Sequence, residues 1–442
     1  MTAGDGSFAA RAGARWSALV EERRIPQHEI GGLAHLDRSD LVADAVSDRR
    51  VDGVRRRLDA GSSSLSARSR IPRPRLLYAS LAAQNGCVPS SPTWFANRRD
   101  PAWSAPSPDR SAVEFHRQLA GYAVTPLVEL PQLARELDVG RVFAKDESQR
   151  LGLPAFKALG ASWAVRRVLE RVGTSAPATI VTATDGNHGR AVARWALHFG
   201  QRATVFVPGV VHPDAVESIR AEGAHVVRVD GSYDDAVEMA SELGREHGHV
   251  LVQDTAWFGY EEIPGWIVDG YDTLFVEIDI QLAGCGVRRP DLVVVPTGVG
   301  SLLQAAIVHY RQPGDASTAV VSVEPESAAC VHASLLAGGR TVVDTGSTLM
   351  AGLNCGTVST LAWPAIVAGL DAALVIDDPS ISGASQALAD LGVDAGPCGA
   401  ASLAATRNVL RSDATAFRRH VSVDAHATVV LLITEGAAAN PW

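Results

Sequence analysis

From about residue 110 onward, short β-branched runs alternate with longer stretches whose apolar residues recur three and four apart. No other feature constrains the fold as tightly. The runs are VFAKD (142–146), TIVTAT (179–184), ATVFVP (203–208), HVVRV (225–229), LVQDT (251–255), LVVVP (292–296), AVVSVEP (319–325) and TVVLLIT (428–434). Between them lie AFKALGASWAVRRVLERV, GRAVARWALHFG, DAVESIRAEGA, YDDAVEMASELGREHG and SLLQAAIVHYR. A change of period from strand-like to helical, repeated along a chain, predicts an α/β fold of mainly parallel sheets flanked by helices. Such sheets bind ligands at the carboxyl ends of their strands, so the residues just after each run carry the chemistry.

Length and charge set the outer limits. At 442 residues the chain exceeds the roughly 100–200 residues of one domain, so two lobes are expected. Apolar residues at 46% against 20% charged indicate a soluble globular protein, and a net charge of −9 offers no basic footprint for nucleic acid or an acidic membrane. No apolar run approaches the ~20 residues of a membrane span. The N-terminus lacks the apolar core of a secretory signal. Five scattered cysteines (Cys87, Cys285, Cys330, Cys355, Cys398) form no CxxC pair or zinc-ligand rhythm, so no metal site is expected and a reducing cytoplasm is. Residues 1–75, with clustered arginines, the Ser-rich stretch 62–66 and IPRPR, read as a variable, flexible extension with short helices around 14–23 and 40–58.

Three strand-to-helix junctions hold candidate chemistry. In FAKDESQRLGLPAFKALGAS, Lys157 enters a helix start among Phe156, Ala158 and Leu159; a nucleophilic lysine needs its amine partly deprotonated, which a desolvated pocket favours. The plain alternative is a solvated lysine on an amphipathic helix. In TATDGNHGRAVARWA, two glycines permit close backbone approach, Asn187 can hydrogen-bond a phenolic oxygen and Asp185 can exchange protons. The plain alternative there is a turn in which Asp185 caps the helix and His188 is a surface imidazole. In VVVPTGVGSLLQAA, the turn Gly298-Val299-Gly300-Ser301 can cradle a phosphate with backbone N–H groups. It is no dinucleotide fingerprint, since Leu303 stands where the third glycine belongs. Asp254, Glu324 and Thr434-Glu435 also fall at strand ends, where Thr434 can meet a pyridine nitrogen.

In this order the motifs resemble the fold type II, tryptophan-synthase-like, pyridoxal-phosphate enzymes. Asp185 in place of Ser or Thr before Gly-Asn-His, LPAFKALG around Lys157, QDTAWFGYEEIPGWIVDGY (253–271), LMAGLNCG (349–356) and GYAVTPLVEL (121–130) narrow the resemblance to the diaminopropionate ammonia-lyases over roughly 93–436. The resemblance implies two open, twisted, mainly parallel sheets, in a large domain from 76–160 and 275–442 and a small domain from 161–274. It implies that Lys157 is the Schiff-base lysine of pyridoxal 5'-phosphate and that Asn187 contacts the ring oxygen. Gly298, Val299, Gly300 and Ser301 then hold the phosphate, and Thr434 faces the pyridine nitrogen. Asp185 and Asp254 are implied to move protons and handle substrate, with Asp185 suited to a cationic β-ammonium group. The implied activity is elimination of ammonia from 2,3-diaminopropionate, giving pyruvate, in a homodimer. The alternatives are a serine or threonine dehydratase, a β-replacement enzyme, or a non-catalytic homologue.

The chain departs from the family at Pro154, where Asn is common, and at Gly396-Pro397-Cys398-Gly399-Ala400, where the family has Gly-Glu-Ser-Gly-Ala. Cys330 and Cys355 fall in segments that approach the site in this class; a bridge and two free thiols both stay open.

Overall fold

The computed structural model describes residues 94–173, 177–314, 317–411 and 415–439; the segment 1–75 and its expected helices lie outside them. The strands are β1 (Trp94–Ala96), β2 (Leu127–Glu129), β3 (Arg141–Asp146), β4 (Thr179–Ala183), β5 (Arg202–Pro208), β6 (His225–Val229), β7 (His249–Leu251), β8 (Leu292–Pro296), β9 (Ala319–Pro325), β10 (Ala372–Ile376) and β11 (Thr428–Ile433). They form a seven-stranded sheet in the order β1-β10-β9-β8-β11-β3-β2 and a four-stranded sheet in the order β6-β5-β4-β7. Every pairing is parallel except those of β1 with β10 and β2 with β3, the two edges of the larger sheet. β4, β8, β9 and β11 are buried along their whole length, because helices cover both sheet faces. This is the α/β architecture that the alternating periods predict.

One expected strand is displaced. The ladder beside β4 uses 249–251 and stops where LVQDT was read as a strand through Thr255. Gln253 explains the stop. Its side-chain oxygen accepts from Ala183 N–H (2.9 Å) and the Thr182 hydroxyl (2.8 Å), while its own N–H donates to the Tyr260 hydroxyl (2.8 Å). A side chain has replaced backbone pairing, and the chain turns away with Asp254.

The longest helix among the described residues, Glu262–Gly284, has no counterpart in the sequence reading. Its buried residues, including Trp266, Ile267, Val268, Tyr271, Leu274, Phe275 and Glu277, leave no polar stripe of helical period to betray it. It packs against the helix Lys157–Val172.

Glu277 on that long helix anchors a fully enclosed ionic cluster. Arg150 donates to Glu147 (2.7 Å), Glu277 (2.7 Å) and the Thr125 hydroxyl (2.8 Å); Lys145 donates to Glu277 (2.6 Å) and to the Thr125 carbonyl (2.8 Å). Burial pushes the Glu277 carboxyl up, yet Arg150 and Lys145 hold it well below its ordinary range. The cluster pins the loop between β3 and Lys157. Removing one partner of a buried pair strands the others in a poor solvent for charge, so Arg150→Ala should cost about 3–5 kcal/mol, read as a lower urea midpoint.

Candidate active site

Every site residue read from the sequence lines one cavity: Lys157, Asp185, Asn187, Asp254, Gly298, Val299, Gly300, Ser301 and Thr434. The cavity lies where β4, β8 and β11 end and where the chain leaves β7, which is the carboxyl side of both sheets.

Lys157 is the first residue of the helix Lys157–Val172. A short antiparallel contact sets its place: Phe156 N–H donates to the Thr434 carbonyl (3.1 Å), Gly436 N–H to the Pro154 carbonyl (3.0 Å), and Ala155 bridges to Glu435. The lysine is no solvated surface residue. Its side chain is 19% exposed, its ammonium donates to the Asp254 carboxylate, and it lies 5.4 Å from the Phe156 ring centre. Burial draws the Lys157 ammonium down, but the Asp254 carboxylate more than offsets this and holds the amine above its ordinary value. The desolvated, partly neutral amine expected from its apolar neighbours is therefore corrected: beside Asp254 it is charged.

The two aspartates differ by environment. Burial, reinforced by Asp254, raises Asp185 to about 7. Burial also pushes Asp254 upward, but His188 and Lys157 pull it down to about 2. One carboxyl can thus exchange a proton near neutrality while its neighbour stays ionised. Asp185 does not cap the following helix, whose N-cap is Gly186 with no side-chain bond; Thr184 Oγ1 accepts from Gly186 N–H instead (2.9 Å). His188 is buried, and its Nε2 donates to the Val252 carbonyl (2.9 Å).

The glycine turn after β8 is shaped by close approach. Gly300 has φ +100°, and a Cβ there would lie 3.1 Å from Ile366 Cδ1; at Gly298 it would lie 3.0 Å from Cys355 Sγ. Gly300→Ala should therefore cost about 1–3 kcal/mol of stability, checked by urea unfolding of the unloaded protein. Ser301 opens the helix Ser301–Tyr310, and its hydroxyl donates to the Asp254 carbonyl (2.6 Å), tying the turn to the acid.

Tyr233, which no motif pointed to, also lines the cavity, together with His188, Cys355, Cys398 and Glu435, to which the motifs gave no chemical role. Tyr233 begins a helix after β6, so its place at a strand's carboxyl side was a usable signal. Glu435 belongs to the same strand end as Thr434. Cys330 and Cys355 are free thiols. Glu324 is not among the residues that line this cavity; its carboxylate accepts from Val331 N–H (2.7 Å) and His332 N–H (2.8 Å).

A family model for pyridoxal-phosphate-dependent enzymes matches residues 119–435. The chain belongs to that family. The diaminopropionate ammonia-lyase of Salmonella typhimurium is 36% identical over 352 residues, covering 73% of this chain and 87% of that protein. The Escherichia coli counterpart is 36% identical over 293 residues, covering 61% and 72%. A crystal structure of the Escherichia coli enzyme in complex with D-serine superposes with a TM-score of 0.72 at 30% identity, over 78% of this chain and 94% of that one. A second, with an aminoacrylate-PLP azomethine reaction intermediate, gives a TM-score of 0.70 at 31% identity, with the same coverage.

The residues present fit the cofactor of this family. Thr434 Oγ1 is buried with no hydrogen-bond partner among the described residues, as a group awaiting a heteroatom would be. The glycine turn leaves room that a Cβ would fill. The first N–H groups of the helix Ser301–Tyr310 have no intrahelical acceptor and suit a phosphate. Among the described residues, no group of three or more His, Cys, Asp or Glu is placed to hold a metal ion, and no helix is long and apolar enough to cross a membrane.

Proposed function

We propose that the chain eliminates the β-amine of 2,3-diaminopropionate as ammonia, with pyridoxal 5'-phosphate as cofactor, and that water then converts the resulting 2-aminoacrylate to pyruvate and a second ammonia. The observation that carries this is a lysine flanked by two carboxyls of opposite protonation tendency in one cavity: Lys157, Asp185 raised to about 7 and Asp254 lowered to about 2. The identity and coverage of the ammonia-lyases above support the substrate.

In this reading Lys157 Nζ holds the cofactor, Asn187 meets its ring oxygen and Thr434 its pyridine nitrogen. Gly298, Val299, Gly300 and Ser301 hold its phosphate. When bound, the cofactor supplies an electron sink conjugated to the substrate α-carbon. Lys157 Nζ takes the α-proton from one face and Asp185 serves the other. The α C–H and β C–N bonds break, and the electron pair left on the α-carbon forms the new double bond as the β-amine departs. Asp254, ionised beside Lys157, holds that side chain in place, and the Asp185 carboxyl suits a cationic β-ammonium group, which serine lacks.

A large lobe of 76–160 and 275–442, of which 76–93 lie outside the described residues, and a small lobe of 161–274 are supported by a separate sheet whose strands fall within 179–251. The working form is a cytoplasmic homodimer.

The test incubates the cofactor-loaded protein with diaminopropionate, serine or threonine and measures pyruvate or other keto acid together with ammonia. Turnover of diaminopropionate well above the other two supports the proposal. Turnover of serine or threonine alone would replace it with a dehydratase.

A further inference from the structure

Glu435 stands in the cavity as a buried carboxylate, only 2% exposed, and nothing in the reading above gives it a task. Its setting is tightly built. Oε2 accepts from Asn187 Nδ2 at 2.5 Å, Oε1 accepts from Cys398 N–H at 3.2 Å, and its main-chain carbonyl accepts from Gly396 N–H at 2.9 Å. Its backbone also bridges to Ala155, two residues before Lys157. Both carboxylate oxygens are therefore engaged, from two different segments, and the main chain is held on either side.

Asn187 needs such a neighbour. The oxygen and nitrogen ends of its amide are nearly equal in size, so packing alone does not decide which way it points. Both Glu435 oxygens are placed to accept N–H bonds, and a bond to a carboxylate used in this way is roughly twice as strong as one between neutral groups. Glu435 thus selects the rotamer in which Nδ2 is turned toward it. Nδ2 carries two hydrogens, and one remains for a second acceptor in the cavity that Asn187 lines. The reversed amide would present Oδ1 to that acceptor and repel it.

We propose that Glu435 is a positioning residue that locks the Asn187 amide, nitrogen outward, to receive the anionic ring oxygen of pyridoxal phosphate. The inference rests on the assignment of Asn187 to that oxygen. In this role Glu435 acts on the cofactor through Asn187.

A double-mutant cycle on cofactor affinity tests it. Glu435→Gln is nearly isosteric, and with its oxygen kept on Cys398 N–H its Nε2 faces Asn187 and favours the reversed amide, so it abolishes the selection and keeps a hydrogen bond. Binding of pyridoxal phosphate to the unloaded protein is titrated by fluorescence and by the near-visible absorbance of the bound cofactor, for the unaltered chain, Glu435→Gln, Asn187→Ala and the double variant. Glu435→Gln should raise Kd about tenfold. In the Asn187→Ala background the same change should have almost no effect, within about twofold. A penalty that persists without Asn187, or no penalty with it, would overturn the inference. If Glu435→Gln does not fold, as judged by near-ultraviolet circular dichroism, Glu435→Asp is carried through the same cycle, since it withdraws the carboxylate from Nδ2 while keeping its charge. Failure of the unaltered chain to bind the cofactor would overturn the functional reading itself, a result distinct from either arm of the cycle.

Discussion

Lys157→Ala is expected to lower diaminopropionate turnover by about 10⁴-fold or more and to abolish covalent attachment of the cofactor. The size follows from the double use of one amine, as the point of attachment and as the group that takes a proton. Lys157→Arg separates the electrostatic part from the chemical part. The guanidinium keeps a cation beside Asp254, so the unloaded fold should stay close to the unaltered protein, yet its pKa bars it from the nucleophile's task. Lys157→Ala also leaves Asp254 buried without its ion pair, and the unloaded protein should be less stable than the arginine variant above the ordinary carboxyl range. Steady-state rates, absorbance and urea unfolding check the three statements. Activity within about tenfold of the unaltered enzyme would remove Lys157 from the reaction.

Asp185→Asn should cost about 10²–10⁴-fold in turnover, the usual range for a positioned acid–base group, and should also change the shape of the pH profile. Burial and the Asp254 carboxylate raise Asp185 from 3.8 to about 7. If the ionised form is the working base, activity rises with pH through about 7, and the variant loses that rising limb. The same shift fixes a stability effect of opposite direction. Above 3.8 the unfolded chain has released this proton while the folded chain still binds it, so stability falls as pH climbs toward about 7 and the deficit then persists. Asp185→Asn cannot ionise. Its unloaded form should therefore melt higher than the unaltered protein above pH 7 and show little difference below 3.8. Equal melting at high pH would mean that Asp185 titrates as an ordinary carboxyl.

Strand and helix periods made most of the fold legible. β5, β6, β8, β9 and β11 fall where β-branched runs stand, and the helices starting at Lys157, Asn187, Tyr233 and Ser301 follow them closely. What escaped had no local period to read. The helix Glu262–Gly284 is buried on several sides, and its acidic Asp272 and Glu277 are buried among apolar residues, so no clean polar face marks it. β1, β2 and β7 are three residues each, too short for alternation to register. LVQDT looked like a strand because its composition is strand-like; the Gln253 side chain, bonded to β4, ends the pairing.

At the site, local sequence is enough to show which residue types end each strand: a lysine at a helix start, an Asp-Gly-Asn turn, a glycine turn and a threonine at the last strand. These are local features, set by turn geometry and by the side chains that parallel strands place at their carboxyl ends. How those groups act on one another depends on the folded chain. The Lys157–Asp254 pair spans 97 residues and the Asn187–Glu435 bond 248. Electrostatic pairing and burial depend on distance in space, which no local pattern records. That is why the sequence suggested a desolvated amine at Lys157, while the fold set a carboxylate against it and kept it charged.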